Sequence, residues 1–430
     1  MTVPGPILPT STPAASPAAP AAGSPADLRS RLAAGRVHEV IHELWRASDP
    51  PVASGDAGED GGPAARLIWL VQALASLRLG AAARRVLAAR ATAELDVPAI
   101  DAQLATLPDG RLDWDRFDRT LQENLVALAE HHPEVAARLG DADAVRERLR
   151  RLEPHRDAAG LVHVLRPADD ASAGIWLGGF VDRRPERGFT APVQGGTPER
   201  LLIAGVGTGR LVDRGMATTE TASGAPPVQV HLLEPDLDAF AAWLALADRR
   251  AALVESRLII AVGSDATDLW VRRMTDRTGL AVPDRVFCAD PDTDLSPLAD
   301  ARATIVRRRT ESIHEAVHDL ARRWAAIGDA DAAARIRPGA TVIGFTSRYT
   351  TVLKHAMRDV ARCFETLGYR FVLVEEPSEG EHLFAADIAR RIAEEDAALV
   401  VVFNRLRPDS IPLFGPVPLL SIVLDPVDEI

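Results

Sequence analysis

LLIAGVGTGRL at 201–211 and VQVHLLEPDLDAF at 228–240 are the two stretches that decide the fold of this chain. In the first, an apolar run of strand length ends in a glycine-rich turn. In the second, another apolar run ends in an acid, Glu234, and a segment with helical spacing follows. A buried strand, a turn, a helix and a second buried strand are the parts of a βαβ unit, so this region predicts a parallel sheet.

The alternation of strands and helices continues towards the C-terminus. Strand-like runs such as RLIIAVG at 257–263 alternate with helical segments, and IRPG at 336–339 marks a domain boundary. The pattern predicts an α/β protein with two Rossmann-like parallel-sheet units, at 156–335 and 336–430. We expect the second unit to be incomplete, because the chain ends directly after a strand-like run.

The N-terminal part of the chain has a different composition. Residues 1–26 are mostly Pro, Ala, Ser and Gly, and such a segment buries too little apolar surface to offset its ordering entropy, which predicts a disordered tail. Residues 27–155 carry apolar side chains at helical spacing and predict an all-α helical module. This module is a candidate surface for a protein partner.

Composition narrows the range of functions. The chain has 430 residues, a net charge of −12 and a pI of about 5.5, which disfavours attraction to nucleic acid. No apolar run approaches the ~20 residues of a membrane span. The only two cysteines, Cys288 and Cys363, lie in different predicted domains, so no disulfide framework is indicated. The sequence predicts a cytoplasmic protein without a membrane span or a nucleic-acid partner.

Open parallel sheets bind ligands beyond the carboxyl ends of their strands. On that edge of the first sheet we predict ligand-binding residues at Gly205, Gly207, Gly209, Glu234, Asp236 and Asp265. Glycines let a ligand approach the backbone closely, although a tight strand-to-helix turn would also explain them. Acids in these positions can accept hydrogen bonds from ribose hydroxyls or from a base. The sequence does not identify a catalytic base, for which Asp265, Asp290 and Glu234 are candidates.

The layout resembles that of class I AdoMet-dependent methyltransferases. GVGTG after the first strand and Glu234 after the second carry this resemblance, which implies AdoMet as the cofactor. Ile203 departs from it, because these enzymes usually have an acid two residues before the first glycine. The chain also lacks the third glycine of a dinucleotide fingerprint at the required spacing, because Arg210 and Leu211 follow Gly209. NAD binding is therefore disfavoured.

GVGTGRL, HLLEPDLDAF and RLIIAVGSD also resemble the Rossmann-like core of the motility accessory factor family, over about residues 198–330. Members of that family are flagellin glycosyltransferases that use nucleotide-activated nonulosonic acids. EPD after the second strand is the most specific part of the match. The resemblance implies a nucleotide-sugar pocket at Gly205, Gly207, Glu234, Asp236 and Asp265.

The last part of the chain, at about 340–430, resembles the N-terminal half of CgeB-like, two-domain (GT-B) glycosyltransferases. GFTSRYTTVLKHAMRDV carries the resemblance, and we predict ligand-binding residues at Thr346, Ser347, Arg348 and Thr350. Hydroxyls and free amides at a helix N-terminus bind phosphate or sugar oxygens, and Arg348 could pair with an anion. Alternatively, Thr350 or Thr351 simply caps the helix. In such enzymes the donor lies mainly on the C-terminal half, so this half would contribute acceptor contacts.

HEAVH at 314–318 matches the zinc-binding pattern H-E-x-x-H through His314, Glu315 and His318. On a helix the two histidines would share one face. Asp319 follows the motif directly, whereas zinc proteases have uncharged flanks, and no third ligand is evident downstream. We therefore predict no metal site here.

Together these features favour a glycosyltransferase-like protein that moves a sugar from a nucleotide-sugar donor to a protein or glycan acceptor. The first alternative is an AdoMet-dependent class I methyltransferase. The second is a non-catalytic Rossmann-like scaffold whose helical module binds a partner.

Overall fold

The computed structural model describes residues 25–34, 36–46, 63–90, 97–168, 174–177, 200–207, 209–218, 228–283, 285–289, 293–378, 380–403 and 417–423. The chain divides into two compact units, the first comprising Met1–Gly110, Asp157–Ala159 and Asp169–Ala173, the second Arg111–Arg156, Gly160–Ala168 and Gly174–Ile430. The predicted tail at 1–26 lies, except for its last two residues, outside the described residues. No helix of the described ranges is long and apolar enough to cross a membrane.

The first unit is helical where it is described. Its helices are α1 (Pro25–Ala33), α2 (Val37–Arg46), α3 (Pro63–Ser76), α4 (Gly80–Arg90) and α5 (Val97–Leu104). Helix α3 packs against both α2 and α4, and Ile41, Leu70, Leu74 and Val86 are fully buried among them. The helical spacing of these apolar residues is what produces the packed helical layers.

The second unit begins with short helices and a small antiparallel sheet. They are the 3₁₀ helix Trp114–Phe117, α6 (Asp118–His131), α7 (Pro133–Leu139), α8 (Ala142–Arg150), β1 (Glu153–Arg156), β2 (Val162–Arg166) and β3 (Ile175–Leu177), with strand order β1-β2-β3. Although these helices belong to the segment predicted as a helical module, they share one apolar core with the parallel sheet that follows.

The first parallel sheet contains β4 (Leu201–Ala204), β5 (Val230–Glu234), β6 (Leu258–Val262) and β7 (Arg285–Cys288), in the order β6-β5-β4-β7. Its helices are α9 (Arg210–Thr218), α10 (Leu237–Leu246), α11 (Arg250–Val254), α12 (Ala266–Asp276) and α13 (Ser296–Ala325). Helices α9 and α10 cover one face, and α12 with the start of α13 covers the other. Strand order reverses between β4 and β7.

The second parallel sheet follows α14 (Asp329–Arg335). Its strands and helices are β8 (Thr341–Phe345), α15 (Thr351–Thr366), β9 (Arg370–Val374), α16 (Ala385–Glu394), β10 (Leu399–Phe403) and β11 (Leu419–Ile422). The order is β11-β10-β8-β9, with all pairs parallel, so the reversal lies between β8 and β10. Helix α15 packs on one face and α16 on the other. The predicted α/β fold with two Rossmann-like sheets is confirmed.

Helix α13, with 30 residues, joins the two sheets. Leu298 and Ile305 near its start pack against the first sheet, whereas Leu320 and Trp324 near its end pack against the second. Its apolar face is therefore divided between two cores. This arrangement ties the two sheets to one continuous element of the second unit.

Arg309, midway along α13, contacts residues of both cores. Its side chain is buried, and its guanidinium donates to the carbonyl oxygens of Met274 (3.0 Å from Nε) and Leu280 (2.6 Å). It also lies 5.5 Å from the centre of the Phe384 ring on the second-sheet side. Burial lowers the pKa of Arg309 to about 10. The carbonyl oxygens at the end of α12 compensate its charge.

Candidate functional site

A cavity of about 320 Å³ lies at the carboxyl ends of the four strands of the first sheet. It is at the point where strand order reverses, which is where open parallel sheets bind ligands. Its lining comes from the ends of β4, β5 and β7, the start of α10, the loop after β6 and the start of α13, and includes Leu177, Gly205, Gly207, Glu234, Asp236, Ser264, Thr267, Thr293, Asp294 and Leu298.

The first turn, residues 205–209, uses glycine for two different reasons. Gly205, Gly207 and Gly209 all have positive φ, of 83°, 51° and 91°, which other residues adopt at a cost. Gly205 and Gly207 line the cavity. Gly209 is not among the lining residues, because it packs against Trp243, where an added Cβ would lie 2.9 Å from the indole Cδ1.

Glu234, at the end of β5, holds the first turn in shape. Its Oε2 accepts a hydrogen bond of 2.7 Å from the Val206 amide, and its Oε1 accepts one of 2.8 Å from the Asp236 amide. The side chain is almost completely buried, and burial raises the pKa of Glu234 to about 7. Each carboxylate oxygen keeps a second lone pair for a ligand hydroxyl. Glu234 therefore stabilises the first turn and also lines the cavity.

Asp236 caps helix α10 at the rim of the cavity. Its Oδ1 accepts from the amides of Asp238 (2.9 Å) and Ala239 (3.3 Å), and its Oδ2 accepts from Arg166 Nη2 at 2.6 Å. The N-cap bonds explain why α10 begins here. The arginine on β2 holds the carboxylate in place, so Asp236 is a positioned rim residue.

Asp265, proposed from the sequence as a ligand or a base, is paired with an arginine from a distant helix. Arg138 of α7 donates to both of its oxygens, at 2.6 and 3.1 Å, and this hydrogen bonding lowers the pKa of Asp265. Asp265 does not line the cavity, whereas Ser264 and Thr267 beside it do. A carboxylate in this pairing is a weak proton acceptor. Asp290, the other candidate base, lies outside the described residues.

Thr267, Thr293 and Asp294 line the cavity but were not singled out from the sequence, whereas Ser264 belongs to the RLIIAVGSD stretch placed on this edge. Ser264 and Thr267 follow β6, and Thr293 and Asp294 precede α13. Asp294 Oδ1 accepts from the Ser296 amide at 2.9 Å, and this bond lowers the pKa of Asp294. Their place directly after the third and fourth strands, in a loop or at the start of a helix, was the available signal, since ligand residues concentrate there.

The ionisable side chains among the described lining residues of the cavity are all acidic. Glu234, Asp236 and Asp294 contribute carboxyl groups, and none of the lining residues that the structure describes is Arg, Lys or His. These three carboxyl groups do not approach one another closely enough to form a joint metal site among the described residues. Arg166 compensates Asp236, and the raised pKa of Glu234 leaves it partly protonated near pH 7. A lining with little net charge and no cationic side chain suits a cationic or neutral ligand better than a diphosphate.

The second turn, residues 346–350, is held by the same kind of bond as the first. In both, a turn amide donates to a buried glutamate, an arrangement that we call the clamp. Glu376, which follows β9, accepts a hydrogen bond of 2.7 Å from the Arg348 amide through its Oε2. The separation of 28 residues equals that between Val206 and Glu234. Ser347 Oγ accepts from the Tyr349 amide at 3.3 Å. Of the four predicted ligand residues here, Ser347 shapes the turn, while Thr346, Arg348 and Thr350 have side-chain atoms without partners.

The other two predicted features lie away from both turns. His314, Glu315 and His318 are on the exposed side of α13, and the absence of a metal there stays a prediction. In the first unit, a cavity of about 280 Å³ between α3, α4 and α5 is lined by apolar residues such as Val71 and Leu104. A protein partner for this module also stays a prediction.

Comparison of the whole chain with known proteins identified no relative. No family model, no curated protein and no solved structure matches it. The resemblances to methyltransferases and to the two glycosyltransferase families therefore stay predictions, and function has to be argued from the geometry of the two turns.

Proposed function

We propose that the cavity at the first turn binds AdoMet and that the protein is a methyltransferase. The observation that carries this proposal is the acidic and apolar lining of the cavity beside the GVGTG turn. AdoMet has a sulfonium and an ammonium group against one carboxylate, so its net charge is positive. Nucleotide-sugar donors carry negatively charged phosphates, for which the described lining residues offer no cationic partner.

The residues of the cavity suit the parts of AdoMet. Gly205 and Gly207 leave room for the ligand at the end of β4. Glu234 has free lone pairs for ribose hydroxyls, and hydroxyls come from Ser264 in the loop after β6 and from Thr267 in the first turn of α12. AdoMet would supply an activated methyl group for transfer to a nucleophile. We assign no catalytic base, because Asp265 is held by Arg138.

Glycosyl transfer is the second candidate, and a specific observation favours it. The second turn contains unpaired hydroxyls and an arginine, which suit a phosphate-bearing molecule better than the first cavity does. In this alternative a nucleotide-sugar binds to the protein and the sugar passes to a protein or glycan acceptor. The third candidate, a scaffold, binds neither ligand.

Ligand-dependent thermal unfolding distinguishes these proposals. We expect AdoMet to raise the melting temperature of the full chain, since a ligand at 100 times its Kd adds about 2.7 kcal/mol of stability. UDP-glucose and CMP-sialic acid are the competing ligands. A shift with a nucleotide-sugar and none with AdoMet would overturn the methyltransferase proposal, and no shift with any of them would favour the scaffold.

A matched pair of variants locates the binding site. Asp294→Asn removes one negative charge from the lining and keeps an oxygen for the Ser296 amide, so we expect AdoMet to bind severalfold more weakly. Asp141→Asn is the control, because Asp141 also caps a helix, accepting from the Ala144 amide at 2.8 Å, and does not line the cavity. Equal AdoMet affinity in the two variants would count against this site.

A further inference from the structure

We propose that the second turn is a separate ligand site that binds an oxyanion, such as a phosphoryl group, through Thr346, Arg348 and Thr350. The turn lies at the carboxyl end of β8, beside the reversal of strand order between β8 and β10. It leads into α15, a helix of 16 residues. Ligands of open parallel sheets bind at such points. This inference does not depend on AdoMet binding at the first turn.

Thr346 is the first reason to expect a ligand. It is only 6% exposed, and its Oγ1 has no hydrogen-bond partner in the described part of the chain. Side chains alternate along β8, and the side of Gly344 faces α15, since a Cβ there would lie 2.9 Å from Met357 Sδ. Thr346, two residues further on, continues this side towards the N-terminus of α15. A buried hydroxyl without a partner costs about 1–3 kcal/mol, which a bound acceptor would recover.

Thr350 and Arg348 supply further unused donors. Thr350 is the N-cap residue of α15 and has the extended backbone of a cap, with φ −116° and ψ 109°, but its side chain makes no cap hydrogen bond. Its Oγ1 and the Nε of Arg348 are buried and have no hydrogen-bond partner among the residues that the structure describes. The amides of a first helical turn also point outwards as donors. The available groups are thus mainly donors, which an oxyanion can satisfy together.

The charges around the turn are compatible with an anion. Glu376 accepts a hydrogen bond from the Arg348 amide, which leaves its negative charge in place. Glu375 is paired with Lys354 at 3.0 Å and lies 4.0 Å from Arg358. Lys354 and Arg358 offset Glu375, and the guanidinium of Arg348, which has no carboxylate partner in the described part of the chain, offsets Glu376. The dipole of α15 adds attraction for an anion.

The test is the binding of inorganic phosphate to the full chain, measured by isothermal titration calorimetry at low ionic strength. We expect wild-type protein to bind phosphate, and Thr346→Val and Arg348→Gln each to weaken binding by at least about tenfold, which is about 1.4 kcal/mol. The matched controls are Thr310→Val and Arg362→Gln, on exposed faces of α13 and α15, and they should bind phosphate like the wild type.

Stability without phosphate separates a ligand role from a structural one. Because valine has nearly the shape of threonine and removes an unpaired buried hydroxyl, Thr346→Val should not lower the melting temperature of the phosphate-free protein. If UDP-glucose displaces phosphate, the natural ligand of the site is a nucleotide. If phosphate stays bound in the presence of UDP-glucose, the natural ligand is a free phosphate. Both results support the site. Absence of phosphate binding to the wild type, unchanged binding to Thr346→Val, or a clear loss of its stability would overturn the proposal.

Discussion

The first and second turns are held by the same kind of hydrogen bond but differ in the side chains beside them. In both, a buried glutamate after the second strand accepts a hydrogen bond of 2.7 Å from an amide 28 residues earlier. The first turn is built from glycines and opens into a cavity with carboxyl groups. The second has no glycine and presents hydroxyls and an arginine. The comparison shows that one kind of clamp supports two turns whose neighbouring side chains differ in charge and in hydrogen-bonding groups.

The largest expected effect comes from removing the clamp of the first turn. Glu234→Ala leaves two amides without an acceptor, those of Val206 and Asp236, and we expect a loss of roughly 2–5 kcal/mol in the free energy of unfolding. Glu376→Ala removes one such acceptor and should cost about half as much. Urea unfolding at pH 6 measures both. Equal losses in the free energy of unfolding would contradict the expectation that Glu234 contributes more to stability than Glu376.

The pH dependence of stability tests the contribution of Glu234 to the first turn. Its pKa is raised from 4.5 to about 7 in the folded protein, so the folded state holds this proton more tightly than the unfolded state. The stability from this group is therefore fully present below pH 4.5 and is lost as the pH rises through about 7, by roughly 3 kcal/mol at most. Urea unfolding between pH 4.5 and 8 should show this decline in the wild type and a smaller one in Glu234→Gln. Parallel profiles would contradict the assignment.

Gly209 tests whether packing, in addition to backbone conformation, requires glycine in the first turn. Gly209→Ala places a Cβ against Trp243 at a φ of 91°, and we expect a loss of about 2–3 kcal/mol. Gly339→Ala is the control, because Gly339 has the same φ of 91° and nothing within 4 Å of an added Cβ. It should cost only the backbone strain, about 1–2 kcal/mol. Thermal or urea unfolding gives both values, and their equality would remove the packing argument.

The smallest effect is expected at Thr350 in the second turn. Replacing an N-cap threonine usually costs about 1 kcal/mol. Since Thr350 makes no cap hydrogen bond, Thr350→Val should change the free energy of unfolding by less than about 0.5 kcal/mol when phosphate is absent. A loss of a full 1 kcal/mol or more would mean that the hydroxyl caps α15 and is not reserved for a ligand.

Much of the fold follows from periodicity along the chain. The apolar run at 228–234 predicted the strand found at Val230–Glu234, and the strand-like run at 257–263 contains the strand Leu258–Val262. Strand order does not follow from such patterns, because it depends on which side of the first strand each crossover returns to. The two sheets have similar element patterns and different orders. β1 also escaped prediction, since EPHR has little strand propensity and forms a strand by pairing with β2.

The site was predictable in position but less so in detail. Glycines and acids at strand ends indicated the edge of the sheet, and Glu234 and Asp236 do line the cavity. The partner of Asp265 is Arg138, 127 residues away, in a chain where arginine is too common to stand out. Similarly, only the folded structure shows which hydroxyls of the second turn lack partners, because a threonine before a helix is normally read as a cap.

The most direct test of the account is a paired calorimetric titration of Asp294→Asn and Thr346→Val, each with AdoMet and with inorganic phosphate. If the two turns hold ligands of opposite charge, Asp294→Asn weakens AdoMet binding severalfold and leaves phosphate binding unchanged. Thr346→Val weakens phosphate binding at least about tenfold and leaves AdoMet binding unchanged. Phosphate binding that is weakened by Asp294→Asn, or AdoMet binding that is weakened by Thr346→Val, would contradict the claim that the two turns are separate sites of opposite preference.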